Sequence, residues 1–200
     1  MKKILSYFIH DKEKLKSMTQ LQKLNNLFIS IFCSYVSYYG SPWKFHQMVD
    51  VLLLVYFVVD ILMVVKVDML VHHILTIILL FIDMTTNIIF FEKITRTILL
   101  CEVSTIFLSI YNLKGIFPQI NKFDLGLKIL FFVTYTYFRI YILTNLFIFN
   151  DEFENIGSLY FQSKYKRFGQ YICYSLLNLY YFWYAVIIEK IVLSTMKKKL

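Results

Sequence analysis

Two adjacent histidines, His72 and His73, lie inside a long apolar run of the chain, residues 69–82. An imidazole in hydrocarbon is costly unless it faces a polar site and finds a partner, so ionisable residues in a membrane segment indicate function. Neutral imidazole can act as a general base or as an acyl-accepting nucleophile. The pair therefore predicts a functional polar site inside a membrane, and packing alone is the weaker interpretation.

Asp60 and Tyr56 are the polar residues of the preceding apolar stretch, and their four-residue spacing places them on one helix face. A buried aspartate has to be paired or neutral. Neighbouring helix residues point about 100° apart, so one histidine can face the site while the other holds a partner. Thr76 lies within reach of either. We assign His72, His73 and Asp60 as the catalytic candidates.

Further polar residues recur at helical spacing in the later apolar runs. Residues 98–113 carry Glu102, Thr105, Ser109 and Asn112; Arg139 follows Tyr135 by four positions; and the last run carries Tyr171, Tyr174, Asn178 and Tyr181. Polar stripes facing lipid are unfavourable, so we expect them to converge on a shared interior cavity. The candidate substrate-binding residues are Tyr56, Thr76, Glu102, Thr105, Ser109 and Arg139.

Structural roles compete with this interpretation. Hydroxyl and amide groups in membrane helices often serve only as interhelical hydrogen bonds, and that is the favoured interpretation of the last stripe. For Asp60, Glu102 and Arg139, a structural ion pair is an open alternative.

The composition requires a membrane setting for these residues. The chain is 58% hydrophobic and 17% charged, whereas a soluble domain carries about 25% charged residues. The pattern predicts an all-α bundle of about six membrane spans. They cover roughly residues 26–39, 49–66, 68–83, 98–113, 127–149 and 170–195. The first and third are short, so tilt or local thinning is expected there.

The basic residues give this bundle an orientation. Of the 21 lysines and arginines, 14 fall on the side of the two termini, six on the other side and Arg139 within a span. The positive-inside rule then places both termini in the cytosol. The net charge of +8 is thereby explained by membrane orientation and indicates no nucleic-acid partner.

Three regions follow from this topology. Residues 1–24 are predicted to be a cytosolic basic segment, residues 25–195 the membrane domain and residues 196–200 a cytosolic lysine-rich tail. Lys197 and Lys198 resemble the dilysine retrieval signal of the endoplasmic reticulum. Contact with anionic headgroups explains them equally well.

Several of these segments resemble the TLC-domain family. The family pattern is an aspartate in one span, then Met69-Leu-Val-His-His-Ile-Leu-Thr76 in the next, then Cys101-Glu-Val-Ser-Thr-Ile-Phe-Leu108, then Phe138-Arg139. The resemblance covers about residues 25–195 and is stronger to the family members that are not ceramide synthases. It implies a six-span bundle concerned with lipids. In the ceramide synthases a histidine of the pair takes part in acyl transfer from acyl-CoA, which maps onto His72 or His73.

The chain departs from the ceramide synthases in residues 98–113, which lack their aspartate pair. Two functions therefore remain open. One is histidine-dependent acyl transfer, with acyl-CoA as co-substrate and no bound cofactor. Arg139 would then bind a phosphate or a carboxylate group of the substrate. The other is a lipid-binding protein of membrane lipid homeostasis or trafficking. Homo-oligomerisation is left open, and no metal site is expected because the other histidines, His10 and His46, lie outside the spans.

Overall fold

The computed structural model describes residues 12–39, 43–61, 67–86, 89–151 and 163–196, and within them the regular structure is entirely helical. The α-helices of these residues are α1 (Lys12–Tyr39), α2 (Trp43–Ile61), α3 (Val67–Thr86), α4 (Ile89–Leu100), α5 (Glu102–Asn112), α6 (Asp124–Tyr135), α7 (Leu143–Phe147) and α8 (Ser163–Met196). Short 3-10 turns, Leu113–Gly115 and Pro118–Phe123, connect α5 to α6. The all-α prediction is confirmed.

Within the described residues, four helical stretches are long and apolar enough to cross a membrane: Val67–Thr85, Lys93–Gly115, Pro118–Phe147 and Phe168–Leu193. They coincide with the third to sixth predicted spans. Stretches of this length and composition are typical of an integral membrane protein. The first two predicted spans fall on α1 and α2, which are not among these four. Residues 1–11, with His10, and the lysine-rich tail from residue 197 lie outside the described residues.

Two of these four stretches contain a segment of irregular backbone. The stretch of α4 and α5 is interrupted by a turn at Cys101. The stretch of α6 and α7 contains a π-helical segment, Thr136–Ile142, which includes Arg139. Such π-turns within α-helices occur frequently at functional sites. The two irregular segments face each other, because the Cys101 thiol lies 3.5 Å from the Phe138 carbonyl oxygen.

Two apolar clusters hold the helices together. The first joins α3, α4, α7 and α8, and the second joins α1, α2, α3 and α4. Large side chains that are completely buried include Leu79, Ile94, Leu143 and Leu176 in the first cluster and Leu53 in the second. Large apolar side chains also cover the outside of the bundle, as expected for a surface in contact with lipid.

The aromatic stripe of the last helix does not face the interior, contrary to the sequence-based expectation. Tyr171, Tyr174 and Tyr181 are 66%, 36% and 39% exposed, and Asn178 is exposed as well. The adjacent face of α8 is buried instead, because its side chains are mainly apolar and fill the first cluster together with Tyr180. Tyr181 retains the interhelical role, since its hydroxyl lies 2.8 Å from Thr144 Oγ1.

The two faces of α8 predict different sensitivities to the same substitution. Leu176→Ala should lower the free energy of unfolding by about 2–5 kcal/mol, because it opens a cavity in the first cluster. Leu193 is 49% exposed on the same helix, so Leu193→Ala should have a much smaller effect. Unfolding of both purified variants by titration with a denaturing detergent measures the difference, and equal losses would contradict the placement of α8.

Candidate functional site

A histidine–carboxylate pair joins α2 to α3. His73 Nε2 lies 2.7 Å from Asp60 Oδ2, and both side chains are buried. An ionised carboxylate can only accept, so Nε2 carries the proton in this contact, and in the neutral ring Nδ1 then has a free lone pair. Asp60 lies at the end of α2 and His73 about two turns into α3, so the contact ties the two helices where the chain passes between them.

The helix α1 completes the surroundings of this pair. Gln22 donates from Nε2 to Asp60 Oδ1 at 3.1 Å, so both carboxylate oxygens are occupied. One turn further along α1, Asn26 Oδ1 accepts a 3.0 Å hydrogen bond from the Tyr56 hydroxyl. Tyr56 and Asp60 of α2 are therefore both bonded to α1.

A second polar centre surrounds Arg139 in the π-helical segment. Its Nη2 donates to Thr105 Oγ1 at 2.7 Å and to Glu102 Oε1 at 3.2 Å, and its Nε donates to Ser104 Oγ at 3.0 Å. The guanidinium carbon also lies 4.8 Å from the ring centroid of Tyr180. Charge-assisted bonds and a ring contact of this kind hold a buried guanidinium firmly. The structural ion pair is thus Arg139–Glu102, whereas Asp60 pairs with His73.

His72 and aromatic rings of α8 link the two centres. The His72 ring centroid lies 5.7 Å from that of Tyr180 and 5.4 Å from that of Trp183. Trp183 is held by a 2.8 Å hydrogen bond from its Nε1 to Asp68 Oδ2. Because Tyr180 contacts both His72 and the Arg139 guanidinium, the two centres form one buried network.

Three buried polar atoms of this network have no hydrogen-bond partner among the described residues. They are Nδ1 of His72, Nδ1 of His73 and the hydroxyl of Tyr180. Nearly all buried polar atoms in proteins are hydrogen-bonded, so each exception requires an explanation. The His72 ring contacts the other two rings, since its centroid lies 5.5 Å from that of His73 and 5.7 Å from that of Tyr180.

The structure places the remaining predicted residues as follows. Thr76 is buried, but its hydroxyl donates to the backbone oxygen of His72 at 2.9 Å and contacts neither imidazole through a hydrogen bond. Ser109 is buried two turns beyond Glu102, and no contact within the described residues ties it to the histidines. Asn112, the last member of that stripe, is exposed. Among the described residues, no three His, Cys, Asp or Glu side chains group as a metal site.

Several residues of the network are absent from the sequence-based prediction. Gln22, Asn26 and Ser30 on α1 each bond to a predicted site residue. Their four-residue spacing is visible in the sequence and could have identified a polar helix face. Ser104 and Tyr180 carry no such signal, because each lies beside the stripe that the spacing favours.

The chain was compared with known proteins. No protein-family model matches it, and no curated protein or solved structure is significantly similar to it.

The Arg139–Glu102 pair predicts strongly coupled losses of stability. Arg139→Met should lower the free energy of unfolding by about 3–5 kcal/mol, because it leaves a largely buried carboxylate without its partner. In a double-mutant cycle, Glu102→Gln with Arg139→Met should cost less than the sum of the single substitutions. Lys128→Met, which breaks an exposed pair with Asp124, serves as the control. Additive losses at Arg139 and Glu102 would contradict the pairing.

Proposed function

We propose that this chain is a TLC-domain-like protein of the endoplasmic reticulum membrane that transfers an acyl group from acyl-CoA to a lipid acceptor. The observation that carries the proposal is the buried contact between His73 Nε2 and Asp60 Oδ2 at 2.7 Å. A carboxylate that holds one imidazole nitrogen fixes the ring orientation and leaves the other nitrogen as a base. The resemblance in residues 69–76 and 101–108 supports the same chemistry.

The transfer requires one proton acceptor and one proton donor. His73 Nδ1 takes the proton from the acceptor's amine or hydroxyl as that atom forms a bond to the thioester carbon. Asp60 stabilises the imidazolium that results. The carbon–sulfur bond then breaks, and the departing thiolate takes the proton back from the imidazolium. The products are an acylated lipid and free coenzyme A.

The unpartnered atoms of the network favour an acceptor that can donate a hydrogen bond. His73 Nδ1 carries a lone pair, so it can accept from an amine or a hydroxyl but cannot donate to a phosphate or a carboxylate. The Tyr180 hydroxyl and His72 Nδ1 lie in the same cluster of rings. An acceptor amine or hydroxyl bound there would satisfy these atoms, while the rest of the lipid lies against apolar side chains.

Cellular location rests on the charge pattern. Both termini are proposed to be cytosolic, because most of the basic residues lie on their side of the membrane. The headgroup of acyl-CoA would then approach from the side that carries most of the basic residues.

A second function, lipid binding without catalysis, is favoured by the environment of Arg139. Its guanidinium is bonded to Glu102, Thr105 and Ser104 of its own chain, which is a structural arrangement rather than an open anion site. The absence of the ceramide-synthase aspartate pair from residues 98–113 also favours lipid binding without catalysis. In that case the histidine cluster holds a lipid headgroup, and the protein acts in membrane lipid homeostasis or trafficking.

Acyl transfer is tested in membranes that lack endogenous ceramide synthase. Wild-type protein should convert acyl-CoA and a panel of amine and alcohol acceptors into a new acylated lipid detectable by mass spectrometry. His73→Ala should lower the rate by at least about 100-fold, because general-base catalysis contributes roughly that much. The double variant His72→Ala with His73→Ala should be equally inactive.

Val71→Ala provides the matched control, since Val71 precedes the pair on α3 and is 41% exposed. It should retain the wild-type rate. If wild type and the histidine variants, all folded and in the same membrane, give identical lipid profiles, the transferase proposal is wrong. A lipid that co-purifies with wild type and not with His72→Ala would then support the lipid-binding function.

A further inference from the structure

The helix α1 presents three polar side chains to the network at intervals of four residues. Gln22 donates to Asp60, Asn26 accepts from Tyr56, and Ser30 Oγ lies 3.4 Å from Glu102 Oε2. Residues four apart share a helix face, so these three form one line along α1. Each of them bonds to a different residue of the network, and together they reach both the histidine pair and the Arg139 centre.

Of these three side chains, Gln22 bonds to Asp60, the carboxylate that holds the proposed base His73. Asp60 receives a donor on each oxygen, His73 on Oδ2 at 2.7 Å and Gln22 on Oδ1 at 3.1 Å. A carboxylate held at one oxygen can still turn about the bond to its Cβ carbon. A second donor on the other oxygen resists that rotation, so the carboxylate plane, and with it the direction of the His73 ring, is defined by Gln22.

We propose that Gln22 is a positioning residue that keeps Asp60 aligned with His73, and that α1 is thereby part of the functional site. This inference rests on the proposed function for its effect on catalysis, but not for its effect on the imidazole. Gln22 does not touch the reacting atoms itself. Its contribution is to keep His73 in the form with the proton on Nε2, which leaves Nδ1 free to act as the base.

The test replaces Gln22 by methionine, which has a similar length and no hydrogen-bond donor. Asn25→Met is the matched control, because Asn25 lies on the exposed face of the same helix. The first readout is the pair of ring ¹⁵N chemical shifts of His73 in the full-length protein in lipid nanodiscs, assigned with His73→Gln. The second is kcat and KM for acyl transfer from acyl-CoA.

Gln22→Met should shift the His73 ring nitrogens towards the values of Asp60→Ala, and Asn25→Met should leave them unchanged. The kcat of Gln22→Met should fall about 10-fold with little change in KM, since a hydrogen bond to a charged group is lost away from the substrate. If Gln22→Met does not fold, Gln22→Asn replaces it, because an amide shortened by one methylene cannot keep the contact.

The two readouts separate this inference from the proposed function. If wild type shows no acyl transfer but Gln22→Met, unlike the control Asn25→Met, moves the His73 chemical shifts, the positioning role stands and the transferase proposal fails. If folded Gln22→Met leaves the shifts unchanged, the positioning role is overturned, whatever happens to the rate.

Discussion

Polar side chains among apolar helices need partners within the protein, because hydrocarbon offers none. The carboxylates of Asp60 and Glu102 and the guanidinium of Arg139 obey this constraint. Asp60 is bonded to His73 and Gln22, Arg139 is bonded to Glu102 and its neighbours, and each contact joins different helices. The helices are therefore arranged around a few obligatory polar contacts, and the two apolar clusters fill the space between them.

The same constraint accounts for the irregular backbone. The carbonyl of Cys101, at the break between α4 and α5, accepts from the Ser104 hydroxyl at 2.8 Å and lies 3.4 Å from Arg139 Nε. Arg139 itself lies in the π-helical segment. A helix break on one side and a π-turn on the other place a guanidinium against a carbonyl and a carboxylate. In a regular helix a backbone carbonyl points along the axis to the amide four residues on. The break at Cys101 therefore lets its carbonyl approach Arg139 in the π-helical segment.

Hydropathy predicted the helical class and the positions of the four described stretches that are long and apolar enough to cross a membrane, because long apolar runs have few other structures there. Spacing grouped Tyr56 with Asp60 on one helix face, but the pairing of His73 with Asp60 and of Glu102 with Arg139 joins different helices and is not encoded in spacing. Gln22 was missed because residues 1–24 were assigned to the cytosol, whereas Asn26 and Ser30 lie in the first predicted span and were overlooked there. The stripe on α8 was misplaced because tyrosines are amphipathic and tolerate an outward position, whereas Tyr180, beside that stripe, is buried.

The most direct test of this account measures the distance between His73 and Asp60 in the membrane. Protein with ring-¹⁵N histidine and side-chain-carboxyl ¹³C aspartate, reconstituted in lipid, can be studied by solid-state dipolar recoupling. The account predicts a strong carbon–nitrogen coupling, as required by an Nε2–Oδ2 distance of 2.7 Å, which disappears in Asp60→Asn. An unchanged spectrum in Asp60→Asn would contradict the central contact, and the proposed roles of His73, Asp60 and Gln22 would fall with it.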